Sequence, residues 1–590
     1  MAEHVQDRRQ VAIKVLTARR ATERRYQRSF ANEARAVACL DHPNIVEIFD
    51  FGQVSQDAVI QSGNRYRAGT QYMVMELVDG GTLSGQRGKL HWPQFKTILL
   101  SLLDALAHAH ARDVIHRDLK PGNVLFGNGG RSIKLTDFGL AHAVKREGLT
   151  VDTPRANVGG TPAYMAPEQF YGSNRDVGPW SDLYALGCLV HALVRGNPPF
   201  GRKPWLEVAN GHLYRRPPKL LPQFSVPEGF EDWVLGLLQK NPADRYRRAA
   251  DAAWDLHELE DPTEEVFRGG LLGYPIPADR LRPPTSGLTD SSAMESAPQS
   301  QTTLIWGGRQ TLIPLPSLDF AGPGRRLGPS PANPPPLPVS WRRPPAAARR
   351  PERVTGTALF VHRTLSMVSR DAERDTLWRA LRAARQDGQT RVVLIRGGAG
   401  CGKTRLAEWL CQRAHEMGAA EILSAVHSPI STRADGLGPM LQRYVRCAGL
   451  EREEVVERVV ETLARLGIDD DARTRALTEI VLPTTYAERL SGVGELQFTT
   501  ASERHGVMRT FLEACAARRP LVLWLEDVQW GLDALEFVES LLDAGGRQPV
   551  LVLMTARDED LPDTALEASV LAGITGRDRG QVLPLLGLLP

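Results

Sequence analysis

A run of Pro, Gly, Ser and Arg from about residue 261 to 355 divides this chain into two halves that must build separate cores. It holds close to half of the 41 prolines. Its densest part reads GPGRRLGPSPANPPPLPVSWRRPPAAARRPE. Such a segment buries too little apolar surface to offset the entropy of ordering, so it is expected to be a disordered, extended tether. Its Pro-Pro-Pro-Leu-Pro stretch suits either a polyproline-reading partner or a stiff spacer, and the spacer reading has more weight. On both sides β-type runs alternate with helical ones. QVAIKVL, IVEIFDF and YMVMELV precede the divide, with the helical WPQFKTILLSLLDALAHAHARD among them. RVVLIRGG, TRLAEWLCQRAHEM, PLVLWLEDV and QPVLVLMTA follow it. Short apolar runs followed by helices describe buried parallel strands of an α/β sheet. The expected organisation is a folded unit over 1–260, the tether over 261–355 and a second unit over 356–590.

A chain of 590 residues with 42% hydrophobic residues can bury sizeable cores. Its formal net charge of +3 favours neither nucleic acid nor an acidic membrane as an obligatory partner. The six cysteines are Cys39, Cys188, Cys401, Cys411, Cys447 and Cys515. No paired spacing among them suggests zinc or a disulfide framework, which fits a reducing compartment. The N-terminus is charged, and no apolar run approaches the length needed to span a bilayer. The expected location is cytoplasmic.

VIHRDLKPGNVLF at 114–126 and KLTDFGLA at 134–141 carry the chemistry of the first half. Phosphoryl transfer asks little covalent chemistry of a protein. It needs metal ions that neutralise charge, a base near the attacking hydroxyl and a cation on the other phosphates. Asp118 is placed to accept the hydroxyl proton, while Asn123 and Asp137 supply hard oxygens for Mg²⁺. Lys14 of Val-Ala-Ile-Lys supplies the cation, with Glu33 as its helix-borne partner.

In these motifs residues 1–260 resemble a bacterial-type serine/threonine protein kinase, which implies a two-lobed α+β fold binding ATP and Mg²⁺. HPNIVEIFDFG and YMVMELVDGGTL resemble the family's fourth and fifth strands and hinge. The likeness implies that Met75 is the gatekeeper and that backbone groups of Glu76 and Val78 meet adenine. Lys120 marks Ser/Thr rather than Tyr specificity. GGTPAYMAPEQ resembles the peptide-binding end of an activation segment. Glu168 would pair with Arg245, and Asp182 would brace the catalytic loop. Thr150 and Thr153 are either autophosphorylation sites, clamped by Arg117, or plain loop residues.

The family's first strand and Gly-rich loop precede the lysine strand, yet only MAEHVQDRRQ stands before Val11 here. That stretch resembles the tail of the second strand running into the third. The expectation is an N-terminally incomplete kinase domain that binds ATP weakly and transfers phosphate poorly as written. Two origins are open: a longer natural product, or a kinase-like scaffold. Retention of Lys14, Glu33, Asp118, Asn123 and Asp137 favours the first.

In the second half, RVVLIRGGAGCGKTRLAEWL holds Gly397-x-x-x-x-Gly402-Lys403-Thr404 between a strand-like run and a helix. Glycines, Gly400 among them, let backbone N–H groups converge on phosphate at a helix N-terminus. Lys403 would reach the phosphates and Thr404 the Mg²⁺. RPLVLWLEDVQW resembles a Walker B strand, with Glu526 facing metal and Asp527 polarising water. Thr555 or Arg557 after the next strand would sense the γ-phosphate, or is ordinary strand-end polarity. MVSRDAERDTLWRAL resembles the Val-Gly-Arg-Glu opening of AAA-type ATPases of the signal-transducing (STAND) class. That likeness implies an α/β P-loop NTPase domain over 356–590, C-terminally incomplete because the family continues into a helical lid. Ser369 stands where the family has glycine, and Glu526 where it usually has aspartate.

Together these expectations describe a kinase acting on protein Ser/Thr hydroxyls, coupled to a regulatory ATPase module. The contrasting reading is a catalytically impaired scaffold in which the P-loop domain is a nucleotide-dependent switch. The sequence leaves the oligomeric state open.

Overall fold

The computed structural model describes residues 2–3, 10–16, 30–138, 161–170, 175–262, 334–342, 367–484, 498–561 and 566–587, less positions 32, 33, 64, 88, 131, 202, 368, 431 and 546. The first lobe is a four-stranded antiparallel sheet. It comprises β1 (Ala2–Glu3), β2 (Gln10–Val15), β3 (Ile48–Gln53) and β4 (Gln71–Glu76), in the order β1-β2-β4-β3. β2 owes its strand form to Val11, Ile13 and Val15, whose branched side chains suit a pleated surface. Lys14 stands opposite Met73 in the β2–β4 register.

A helical lobe follows, built around α1 (Trp92–His110) and α2 (Pro179–Arg195). In α1, Trp92, Phe95, Leu99, Leu102 and Leu106 recur at helical spacing and are buried. Pro93 opens α1 and Pro179 opens α2, where a missing N–H costs nothing. Gly196, at φ 90°, ends α2 in the left-handed conformation that glycine adopts freely. A hairpin of β5 (Val124–Gly127) and β6 (Ser132–Leu135) lies at the lobe junction. There Val46 N–H donates to the Leu135 carbonyl and Leu135 N–H to the Asn44 carbonyl. Helices α3 (Trp205–Tyr214), α4 (Phe230–Leu237) and α5 (Ala249–Glu258) complete the lobe.

The second domain begins with α6 (Asp371–Asp387) and is organised by a five-stranded parallel sheet. Its strands are β7 (Arg391–Gly397), β8 (Glu421–Val426), β9 (Leu521–Glu526), β10 (Val550–Arg557) and β11 (Gly580–Pro584), in the order β11-β7-β10-β9-β8. Alternation along the central strands feeds two cores. Val392, Leu394, Val550 and Val552 pack on one face, and Val393, Ile395, Leu551 and Leu553 on the other. Helix α7 (Lys403–Glu416) follows β7 directly. Then come α8 (Leu437–Val445), α9 (Arg452–Arg465), α10 (Asp471–Val481), α11 (Ala501–Ala516), α12 (Leu532–Asp543) and α13 (Leu566–Thr575).

Part of the stretch read as a tether is docked instead. Residues 334–342 lie against α6 and α7. Trp341 meets the edge of Trp409 at 5.0 Å between ring centroids, and its Nε1 donates to Asp375 Oδ1 at 2.7 Å. Arg374 lies over the Trp341 ring at 4.5 Å. The Trp341 carbonyl accepts from Arg413 Nε at 2.7 Å and the Pro338 carbonyl from Trp378 Nε1 at 3.1 Å. A proline-rich backbone loses little entropy on docking and offers carbonyls with no internal donor. That suits it to such a groove without any hydrophobic core of its own.

The two domains also meet through α7 and α1. Glu416, only 6% exposed, accepts from Arg112 Nη1 at 2.6 Å and Arg413 Nη1 at 2.9 Å, and lies 2.9 Å from His108 Nδ1. Burial pushes His108 down to about 4 despite Glu416, so the ring is neutral at pH 7. Its Nε2 accepts from Asp41 N–H, which leaves the proton on Nδ1, facing the carboxylate. Arg519 Nη2 to Asp251 Oδ1 at 2.8 Å and Arg248 Nη2 to Glu421 Oε2 at 2.6 Å extend the junction. Glu416→Gln should therefore strand two largely buried guanidinium groups. Chemical unfolding of the full chain should show a loss of about 2–3 kcal/mol. An unchanged midpoint would mean the pairing contributes nothing to docking.

Candidate nucleotide sites

In the first domain β2 and the turn after β6 bring Lys14 Nζ within 2.6 Å of Asp137 Oδ1. Asp137 holds a left-handed φ of 60°, strained for a residue with a Cβ, and this turns its carboxylate into the cleft. The next residue, Phe138, is buried against His116, with ring centroids 4.6 Å apart. His116 accepts at Nδ1 from Asp118 N–H, so its other nitrogen donates to the Thr136 carbonyl at 2.9 Å. Burial pushes the His116 pKa down.

Asp182, entering α2, fixes the loop between α1 and β5. Its Oδ2 accepts from His116 N–H at 2.8 Å and its Oδ1 from Arg117 N–H at 2.7 Å. His110 Nε2 supplies a third contact at 2.8 Å. Burial alone would raise this carboxyl, but the His110 hydrogen bond and the Arg117 N–H hold it below the ordinary range. The braced loop presents Asp118. Lys120 Nζ donates to Asp118 Oδ2 at 2.7 Å and to Thr161 Oγ1 at 2.9 Å, and Thr161 N–H donates to Asp118 Oδ1 at 3.2 Å. Asn123 Nδ2 donates to the Asp118 carbonyl at 2.8 Å, which orients the amide and leaves Oδ1 for the cleft.

At the hinge, Met75 is partly buried against the core. Glu76 turns its carboxylate to Lys134 Nζ at 2.8 Å, and its N–H donates to the Glu47 carbonyl at 2.8 Å. Val78 is half-buried. Glu168 and Arg245 form a bidentate pair at 2.8 and 2.9 Å, both buried. Glu33, Thr150 and Thr153 lie outside the described residues. Sequence reading had passed over Thr161, although it stands in the quoted Gly-Gly-Thr-Pro.

The second site lies at the C-terminal ends of β7, β10 and β9, where parallel sheets place their ligands. Gly400 at φ 74° and Gly402 at φ 95° take conformations that side chains disfavour. Any Cβ on Gly397 would come 2.3 Å from the Leu585 carbonyl oxygen. Lys403, the first residue of α7, is buried and donates to the Gly397 and Gly398 carbonyls at 2.8 and 2.7 Å. Thr404 is exposed beside it. Glu526 ends β9 half-buried, and Asp527 follows in a left-handed conformation at φ 52°. Asp527 N–H donates to Thr555 Oγ1 at 3.0 Å, and Asp527 Oδ2 accepts from Arg557 Nη2 at 2.8 Å. Thr555 is fully buried, so its hydroxyl braces Asp527. Arg370 ties the opening segment to the loop, donating to the Cys401 carbonyl at 3.4 Å and the Leu586 carbonyl at 2.5 Å. Ser369 just before it has φ 55°, a conformation that favours glycine.

Two substitutions probe these placements. Ser369→Gly relieves the left-handed strain but loosens the unfolded chain, so thermal unfolding should show a gain below about 1 kcal/mol. A loss would mean the serine side chain is itself a bracket. Asp182→Asn offers one acceptor oxygen to two backbone amides and should cost about 1–3 kcal/mol at neutral pH. Because the folded Asp182 pKa lies below its unfolded value, its contribution is complete above the ordinary carboxylate range. It disappears as pH falls through the folded value, so the two proteins should converge in strong acid. A gap that stays constant into acid would contradict the assignment.

Residues 1–254 match the family model described as a protein kinase domain, and residues 366–553 match that of an AAA ATPase domain. The serine/threonine-protein kinase PrkC of Bacillus subtilis is 35% identical over 265 residues, covering 44% of this chain and 38% of that protein. Serine/threonine-protein kinase PknA of Mycobacterium tuberculosis is 37% identical over 242 residues, or 40% of this chain and 52% of that protein. PknL of Mycobacterium bovis is 35% identical over 276 residues, or 46% of this chain and 63% of that protein. The chain thus spans less than two thirds of the length of each relative. Its residues 1–254 form a protein kinase domain and its residues 366–553 an AAA ATPase domain.

Proposed function

We propose that the first domain transfers the γ-phosphoryl group of ATP to serine or threonine hydroxyls of protein substrates. The second domain is proposed to bind and slowly hydrolyse ATP as a regulatory module of the same signalling protein. One observation carries the reading: Lys14 and Asp137, 123 positions apart, meet at 2.6 Å, while Thr136 N–H donates to the Asn123 carbonyl and Asn123 Nδ2 to the Asp118 carbonyl, which ties those two residues to the same turn.

The donor set fits Mg²⁺ at the first site. Asp137 offers a carboxylate now balanced by an ammonium, and Asn123 offers an amide oxygen whose nitrogen is already committed. Bound Mg²⁺ supplies charge neutralisation of the phosphate oxygens. Lys14, exchanging Asp137 for phosphate, holds the part of ATP that is not transferred. Met75, with the backbone of Glu76 and Val78, lines the adenine end. Asp118 accepts the proton of the attacking hydroxyl, and Lys120, hydrogen-bonded to Asp118, keeps it aimed. Thr150 and Thr153 are the proposed sites of autophosphorylation.

At the second site Lys403 leaves the Gly397 and Gly398 carbonyls to meet phosphate, and the amides of the Gly397–Gly402 loop cradle it. Thr404 and Glu526 are the hard-oxygen ligands proposed for Mg²⁺, and Asp527, held by Thr555 and Arg557, positions water. No described helix is long and apolar enough to cross a membrane, and a cytoplasmic place is proposed.

Labelled γ-phosphate transfer from ATP to protein by the full chain tests the assignment. Asp118→Ala should lower transfer by about a hundredfold or more while ATP hydrolysis at the second site persists. Lys403→Ala should remove that hydrolysis. Transfer that survives Asp118→Ala would overturn the proposal.

A further inference from the structure

Between the two domains lies a cavity of about 1670 Å³, apart from both nucleotide sites. Its lining is cationic to a degree the near-neutral chain does not suggest: twelve arginines against four carboxylate side chains. Those carboxylates are largely committed. Asp251 takes Arg519, Glu421 takes Arg248 and Glu408 takes Arg405. The fourth, Asp113, is raised by desolvation and drawn back by the charge of Arg446. Among the arginines, Arg245 is matched by Glu168 and Arg112 by Glu416.

Arg247 and Arg465 are different. No ion pair holds either of them among the described residues. The Arg247 guanidinium lies 4.7 Å from the Trp180 ring, and Arg446 lies 4.3 Å from the same ring. Burial first, then Arg465 and Arg446, push Arg247 down to about 10 against the partial help of Tyr444 and Glu421. A guanidinium sequestered among other cations is costly unless an anion joins it. Trp524, also in the lining, has an indole Nε1 that is buried with no acceptor. The wall therefore carries more spare donors than spare acceptors, the reverse of what suits a metal ion.

We propose that this cavity binds a small polyphosphate anion, either a nucleotide or an inorganic phosphate chain, with Arg247 and Arg465 as its ligands. Phosphate oxygens are acceptors only, and the planar guanidinium fork matches them two at a time. The volume exceeds the range usual for small-molecule pockets, so a chain of several phosphates fits without rearrangement. Arg247 stands just before α5 in the kinase domain, and Arg465 ends α9 of the ATPase domain. One anion held by both fastens the domains together. Arg117, beside Asp118, shares the lining, so the ligand reports directly to the catalytic loop.

The test uses the full chain carrying Lys14→Ala and Lys403→Ala, so that neither nucleotide site dominates. Isothermal titration with inorganic tripolyphosphate and, separately, with ATP should show one remaining site. Adding Arg247→Met and Arg465→Met should weaken it by about tenfold or more. Equal affinity for the two probes assigns recognition to the phosphate chain, and tighter ATP binding assigns it to a nucleotide. Thermal unfolding without ligand separates a ligand site from a structural bracket. Relief of like-charge crowding should raise the midpoint of the Met pair by about 2–4 °C. Absence of binding, binding indifferent to the Met pair, or a lowered midpoint would overturn the proposal.

Discussion

The Asp182 carboxylate is the contact on which the first candidate site depends. It is 0% exposed and takes the two successive amides of His116 and Arg117, a pair that no strand or helix could satisfy. Arg117 has a left-handed φ of 65°, and that turn aims Asp118 at the cleft. Left without its acceptor, the loop would carry orphaned amides in a dry interior, and Asp118 would lose its bearing. His110, the third donor to Asp182, is the last residue of α1. Two positions earlier on that helix stands His108, facing Glu416 of the other domain. The end of one helix is thereby fixed from both sides.

α7 spans the distance between these arrangements. It starts at Lys403, at the end of the glycine-rich Gly397–Gly402 loop, and ends at Glu416 in the domain junction. At about 1.5 Å per residue a helix of this length is a rigid strut of roughly 20 Å. Buried ionic contacts such as Glu416 with Arg112 and Arg413 add little net stability over an apolar junction of the same shape, since desolvation offsets most of the attraction. They do specify one docking geometry, because a shifted interface would leave charges unpaired. The docked segment 334–342 adds to this by resting on α6 and α7, where Gly418 has Pro335 on one hand and Ala250 of the kinase domain on the other.

Local chemistry was legible in the sequence wherever spacing encodes it. His116-Arg117-Asp118, Asp137-Phe138 and the Gly397–Thr404 loop act through neighbouring residues, so their order alone placed them on the right turns. Strands β7 and β10 were legible as unbroken apolar runs because both faces are covered. What stayed hidden depends on residues far apart in the chain. Arg112 and Glu416 are separated by 304 positions, and each alone reads as an ordinary solvated charge. The docking of 334–342 was hidden for another reason. Its composition predicts an extended backbone correctly but is silent about Trp341, which anchors it. Ser369 read as a departure from a glycine position, and its positive φ gives that departure a physical cost.

The convergence of Lys14 and Asp137 on a nucleotide is tested most directly by lysine acylation of the full chain, mapped by mass spectrometry with and without Mg²⁺ and ATP. Protection of Lys14 by the two together, and not by Mg²⁺ alone, is the outcome expected if the cleft exchanges its internal ion pair for phosphate. Equal acylation of Lys14 in every condition, with Lys403 alone protected, would contradict it.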